Sequence, residues 1–487
     1  MTKDPIDPFD PQLMLTRRRL LGHGGIGLGA VALSGLLDAG AGRAAARSDG
    51  SALLAHHVAK ARRVIYLFMA GAPSQVDLFD YKPDLDRLHG SELPDSVRGG
   101  QRLTGMTAGQ DKLRVTRGIA PFSRRGANGT WLSDLLPHHG DIIDDIALVK
   151  TVHTEAINHD PAITFFQTGN QQPGRPSLGS WVSYGIGSEN RDLPAFVVLL
   201  SNNVYAQAQP LYDRLWGSGF LPGQHQGVRL RSGDDPVHFL GDPSGARPQD
   251  QRPMLDGLAR LNARQHQLVG DPDIQARIAA YEMAYRMQMS VPDLSDLSQE
   301  PDSIFDLYGE DSRVPGTFAA NCLLARRLAE RDVRFIQIYQ RGWDHHSHIE
   351  RHHPTLCRMV DQPAAALIKD LKTRGLLDDT LVIFGGEFGR TVYAQGNPDG
   401  DSYGRDHHPR CFSMWLAGAG VQAGRSFGET DEFCYNIVEG GVHVHELNAT
   451  ILHQLGIDHQ RLSYRFQGLD QRLTGVEPVR PALHLLA

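Results

Sequence analysis

Arg334-Phe-Ile-Gln-Ile-Tyr-Gln-Arg-Gly-Trp-Asp-His-His-Ser-His348 is the stretch around which the other polar clusters of the chain make chemical sense. Phe335, Ile336, Ile338 and Tyr339 form a short apolar run of β-branched and aromatic residues, the pattern of a strand buried on both faces. Gly342 ends it. Asp344, His345, His346 and His348 follow, so one carboxylate and three imidazoles emerge where a strand ends. That is the edge at which open α/β sheets bind ligands, and the donor set suits a metal ion.

Working outward, four further apolar runs read as buried strands: Arg63 to Met69, Pro194 to Leu200, Thr380 to Phe384 and Phe412 to Leu416. Ser133 to Val149 reads as a helix and then a strand, with Ile146 to Val149 as its apolar part. Helical spacing is expected from near Pro161 to Gly169, over most of Asp256 to Met289, at Phe318, Cys322, Ala325 and Ala329, over Pro363 to Leu371, and from His445 to Leu455. Strands alternating with helices predict an α/β fold, a mostly parallel central sheet covered by helices on both faces. Residues 81–130 read as a long surface excursion and 201–250 as loop-rich, so loop insertions are expected.

At 487 residues the chain has room for two or three average domains or for one large α/β domain. The formal charge of -7 and a pI near 6.4 leave no basic footprint and argue against nucleic acid as a partner. Histidine, at 23, is the residue type in excess. Cys322, Cys357, Cys411 and Cys434 lack C-x-x-C spacing, which excludes zinc-finger and thioredoxin patterns. Near the N-terminus, Thr16-Arg17-Arg18-Arg19-Leu20-Leu21 precedes a mildly apolar, Gly-rich segment and then Ala44-Ala45-Ala46, the form of a twin-arginine export signal. Cleavage after Ala46 would leave residues 47–487 as a single extracytoplasmic domain, without a later apolar run long enough to span a bilayer. Export in the folded state agrees with a cofactor loaded beforehand. The sequence does not specify an oligomeric state.

Three more polar clusters flank these strands: Asn158-His-Asp160, Gly385-Gly-Glu-Phe-Gly-Arg390 and Gly404-Arg-Asp-His-His-Pro409. Ligands from separate elements, fixed by a sheet, are what a metal site needs. Asp344, His346, His348, His407 and His408 are candidate ligands. Glu387 is either a ligand or a carboxylate behind one, and Arg390 is either a fork for phosphate, sulfate or carboxylate or a salt-bridge partner. Arg351-His-His353 reads as solvated surface. Histidine-rich ligation favours zinc or manganese over calcium or magnesium as the divalent ion. The chain has no G-x-S-x-G elbow, Walker loop or post-strand G-x-G-x-x-G.

From about Arg62 onward the chain resembles the twin-arginine-exported bacterial family known as domain of unknown function 1501, whose recurring motifs stand here as Arg341-Gly-Trp-Asp-His-His346, Gly386-Glu-Phe-Gly-Arg-Thr391 and Gly404-Arg-Asp-His407. In motif order that family is similar to the alkaline phosphatase and sulfatase superfamily. The superfamily's D-x-x-x-H pair would be matched by Asp344 and His348, while the nearer family's motif points to His346. Its late histidine before a strand would be His407 or His408. The strand-end Asp of the superfamily is replaced by Ala70, which leaves Asp77 in the following turn as the substitute, and its later Asp-His pair is replaced by Glu387 alone. His159 stands where sulfatases carry the nucleophilic cysteine of C-x-P-x-R. It could act as nucleophile, metal ligand or general acid/base.

The resemblance implies an alkaline-phosphatase-like fold and metal-assisted hydrolysis of a phosphate or sulfate ester, on a small-molecule or polysaccharide substrate. Arg390 would bind the anion and His159 move a proton. One ion per chain is expected, because the second site lacks its strand-end carboxylate. The alternative is a catalytically degenerate member that binds anionic glycan or metal without turnover.

Overall fold

The structure, a computed structural model, describes residues 55–202, 205, 209, 211–232, 248–270 and 273–487. The export-signal reading of residues 1–46 lies outside the described residues.

In chain order the strands that matter are β1 (Arg63–Ala70), the hairpin β2 (Phe122–Arg125) and β3 (Thr130–Ser133), β4 (Ile146–His153), β5 (Phe196–Leu200), β6 (Val228–Leu230), β7 (Phe335–Arg341), β8 (Thr380–Gly385), β9 (Gly389–Gln395), β10 (Gly404–His408), β11 (Phe412–Ala417) and β12 (Arg425–Phe427). The central sheet runs β12-β4-β11-β8-β1-β7-β5-β6, with the short strand Val442–His443 also on β4. Pairings β8-β1-β7-β5-β6 are all parallel, and β11 alone runs against its neighbours β4 and β8. All eight residues of β1 and all six of β8 are buried, so the sheet is covered on both faces, as expected for continuous apolar strands joined by helices.

Register decides where the polar clusters meet. Ala70 pairs with Arg341 and Phe68 with Gly385, so β1, β7 and β8 end along one edge. The antiparallel β11 begins at that same edge, since Phe412 pairs with Val152 near the end of β4. Its orientation brings histidines that precede a strand to the place where the other clusters follow one.

The helix expected over Pro363–Leu371 is much longer, Ile349–Thr373, and passes through Pro354 and Pro363. Each proline removes one intrahelical hydrogen bond. The buried stripe Ile349, His353, Leu356, Cys357, Val360, Ala364, Leu367, Ile368 and Leu371 continues across both, and its packing outweighs the two lost bonds. The solvated reading of Arg351-His-His353 is therefore corrected at His353, which faces the core at 1% exposure. The excursion over 81–130 is also only partly surface. Leu85, Leu93, Leu113 and Val115 pack with Val392, Tyr393 and Tyr435 in a second core under β9.

Helices Pro248–Val269 and Asp273–Ser295 belong to a separate compact unit. Arg252 ties them by hydrogen bonds of 2.9 and 2.6 Å to the Glu282 carboxylate.

Candidate metal centre

Four side chains from three segments converge at the common edge. His159 opens the helix His159–Thr168 after β4, Asp344 and His346 follow β7, and His407 lies on β10. One ligand atom from each lies within 4.8 Å of all the others. His159 Nε2 is 3.0 Å, His346 Nε2 2.8 Å and His407 Nε2 3.4 Å from the same oxygen, Asp344 Oδ1. The Nε2 atoms of His346 and His407 are 3.0 Å apart. A tetrahedron of ligands about 2.0–2.1 Å from a zinc ion has edges of roughly 3.3–3.4 Å, so these separations fit one small divalent ion at the centre.

The opposite ring nitrogens show why all three Nε2 atoms are free to coordinate. His159 Nδ1 lies 2.5 Å from Glu387 Oε1, His346 Nδ1 2.6 Å from Gln395 Oε1, and His407 Nδ1 2.7 Å from the Ile157 carbonyl. Each contact with an oxygen acceptor places the ring proton on Nδ1 and leaves a lone pair on Nε2, the usual support of a metal-bound imidazole. Two such lone pairs 3.0 Å apart cannot hydrogen-bond each other, and the buried His159 Nε2 lone pair likewise faces a carboxylate oxygen, Asp344 Oδ1, at 3.0 Å. A cation resolves both.

Electrostatics bias the cluster toward a cation. Burial alone would raise the Asp344 carboxyl, but Arg390 and the contacting histidines hold it far below the usual carboxylate range. Burial opposes protonation of His159, yet the Asp344 and Glu387 carboxylates outweigh it and raise the ring above its ordinary value. Burial dominates at His407, assisted by Arg390, and pulls it down to about 4, so this ring is a neutral donor at physiological pH.

Close backbone approach makes the site compact. Gly71 follows β1 at φ +108°, and a Cβ there would meet Asp344 N at 2.7 Å and Trp343 N at 2.8 Å. Its N–H donates to Glu387 Oε1 at 2.9 Å, and its carbonyl accepts from Arg390 Nη2. At Gly404 a Cβ would fall 2.1 Å from the His346 carbonyl carbon, so only glycine lets β10 pass this close to the ligand loop.

The other candidates have other partners. Arg390 is 1% exposed: Nε donates to Ala72 O at 3.0 Å, Nη1 to Arg405 O at 3.1 Å, and Nη2 to both Gly71 O and Asp344 Oδ1, the latter at 2.8 Å. The expected anion fork is instead a buttress for Asp344. Asp77, expected as a substitute ligand, is fully buried against Arg405 through contacts of 2.8 and 3.0 Å and accepts the Ile119 N–H at 3.1 Å. His348 caps the helix Ile349–Thr373 at φ +50°, with Nδ1 3.3 Å from Asp401 O. His408 Nε2 donates to Tyr435 O at 2.8 Å. None of these three joins the four-ligand cluster, which is the one such group among the described residues.

Sequence reasoning missed the supports. Gln395, Gln209, whose Nε2 donates to Asp344 Oδ2 at 2.5 Å, and the Ile157 carbonyl carry no motif signal. The excursion over 81–130 clamps β10, because Thr104 and Thr107 donate to Asp406 and Arg117 O accepts from Arg405.

None of the curated proteins matches the sequence. Among solved structures, the PsFucS1 sulfatase from Pseudoalteromonas sp. aligns over 94% of this chain and 75% of its own, at 13% identity and a TM-score of 0.33. The alkaline phosphatase from the Antarctic bacterium TAB5 aligns over 82% and 98%, at 12% identity and a TM-score of 0.35. The lipoteichoic acid synthase LtaP from Listeria monocytogenes aligns over 91% and 80%, at 10% identity and a TM-score of 0.33. Residues 61–483, most of the length, match the family described as Protein of unknown function (DUF1501), and the chain belongs to that family.

Proposed function

We propose that this protein is an exported, metal-dependent hydrolase of phosphate or sulfate esters, acting on an anionic small molecule or polysaccharide. The observation that carries the reading is the convergence of three imidazole lone pairs and one carboxylate oxygen, each ring fixed from behind by an oxygen acceptor. Three histidines and one carboxylate favour zinc or manganese. A divalent ion held there supplies Lewis-acid polarisation of the ester oxygen and an acidified water. The chain's own residues do the rest. Asp344 contributes the anionic donor and Arg390 fixes its orientation, while Glu387 holds the proton of His159 on Nδ1.

A second reading, a member that binds metal or anionic glycan without turnover, is favoured by one observation: the guanidinium placed to receive an anion is buried and bonded to Asp344 and three carbonyls. The deciding experiment is turnover of aryl phosphate and aryl sulfate by protein loaded with zinc or manganese. Hydrolysis that is abolished by chelator and by Asp344→Ala, with the fold intact by circular dichroism, is expected. Absence of turnover on both esters at full metal loading would leave the binding-only reading.

A further inference from the structure

At the β12 edge of the sheet an open cleft of about 460 Å³ shares no residue with the metal cluster. Leu148 and Lys150, two residues apart on β4, present the same face, and the edge strand adds Arg425 and Ser426 with Ser426 paired to Leu148. The opposite wall is the β2–β3 hairpin and Tyr81. Tyr81 lies between two aromatic rings, 5.1 Å from Phe122 in a stacked pair and 4.5 Å from Trp131 in a tilted one. Trp131 is 37% exposed, and its cross-strand partner Arg124 places a guanidinium 5.0 Å from the ring centroid.

Charge in the cleft is one-sided. The carboxylate in its lining, Asp80, is 1% exposed and already matched by Lys82 at 3.3 Å and Lys150 at 3.8 Å. Arg425 remains as the solvent-exposed cation of the lining, while Arg124, outside it, lies over the Trp131 ring. Trp131 is the large aromatic side chain that this hairpin leaves exposed, and its amphipathic indole suits a ligand with both apolar and polar faces. The hydroxyls of Thr130 and Ser426 supply hydrogen-bonding groups around that ring. A flat, hydroxyl-rich ring bearing a negative substituent complements all three features at once: its C–H face packs on Trp131, its hydroxyls meet the polar rim, and its charge meets Arg425.

We infer that this cleft is a binding subsite for an anionic saccharide, separate from the metal centre and independent of its chemistry. Its role would be to hold a charged glycan chain on the protein.

The test is calorimetric titration of metal-free protein with a sulfated galactan hexasaccharide and with its desulfated counterpart. The sulfated form should bind more tightly, and Trp131→Ala and the exposed-site change Arg425→Glu should each weaken it by about tenfold or more. Asp344→Ala should leave this binding unchanged, which separates failure of the subsite from failure of the metal centre. Three results would overturn the inference: binding lost in Asp344→Ala but kept in both cleft variants, equal affinity for the sulfated and neutral sugars, or displacement of the saccharide by micromolar adenosine monophosphate.

Discussion

Replacing Glu387 by Gln tests the metal centre at a residue that need not touch the ion. The Glu387 carboxylate is fully buried and accepts two hydrogen bonds at Oε1, from His159 Nδ1 at 2.5 Å and from the Gly71 N–H at 2.9 Å. Both donors meet the same oxygen, Oε1, which Gln can retain, but its NH2 then stands where Oε2 lies 3.3 Å from the Gly71 N–H, and the negative charge behind His159 is gone. Loss of such a support typically weakens metal binding 10- to 100-fold, or about 1.4–2.7 kcal/mol. At free zinc equal to about 100 times the wild-type Kd, the metal stabilises the native fold by about 2.7 kcal/mol. After Glu387→Gln the same zinc concentration should contribute only about 0.4–1.4 kcal/mol. Competition with a fluorescent zinc chelator measures the affinity, and urea unfolding with and without zinc measures the stabilisation. An affinity within twofold of wild type, with the zinc-dependent stabilisation intact, would refute the assignment of His159 as a ligand oriented by Glu387.

Plasma-emission analysis after dialysis should find one ion per chain, lost in large part from Asp344→Ala and His407→Ala but retained in His352→Ala; equal content in all three variants would remove the site. Asp77→Ala should leave that stoichiometry at one while lowering stability by about 3–5 kcal/mol, because it strands the buried Arg405 charge; a second ion that disappears on this change would overturn the one-metal arrangement. Metal-free protein should lose stability as pH falls from about 6.5 toward 3, since burial pulls His353 down to about 3 and His225 down to about 4. The unfolded chain binds those protons first, so stability rises with pH across that window by up to about 1.4 kcal/mol per unit for each ring, and a urea midpoint that is flat between pH 7 and 4.5 would contradict it.

The strands could be read because β1, β7 and β8 are buried on both faces, which leaves an unbroken apolar run in the sequence. The polar clusters that supply the candidate ligands could be read because they sit where those runs stop. Which histidine of each pair faces the site could not, because backbone geometry decides it. His348 is turned away by a left-handed backbone that starts a helix, and its neighbour two residues earlier is left facing Asp344. His407 and His408 are adjacent on β10 and so point to opposite faces, one to Asp344 and the other to the Tyr435 carbonyl. A one-residue difference in register would have exchanged them.

Charged residues posed a harder problem, because their roles depend on partners hundreds of positions away. Asp77 follows the first strand by a few residues and has the chemistry of a ligand, yet Arg405 takes it through a bidentate contact across 328 positions. Arg390 has the chemistry of an anion fork, and what decides its role is how many of its donors are already used. Four of its five N–H groups go to carbonyls and to Asp344. A guanidinium so placed spends its charge on fixing a carboxylate in its ionised form, which strengthens a cation site and weakens an anion site in the same step. On the proposed ester-hydrolase reading, recognition of the substrate's negative charge at this centre would fall to the metal ion rather than to Arg390.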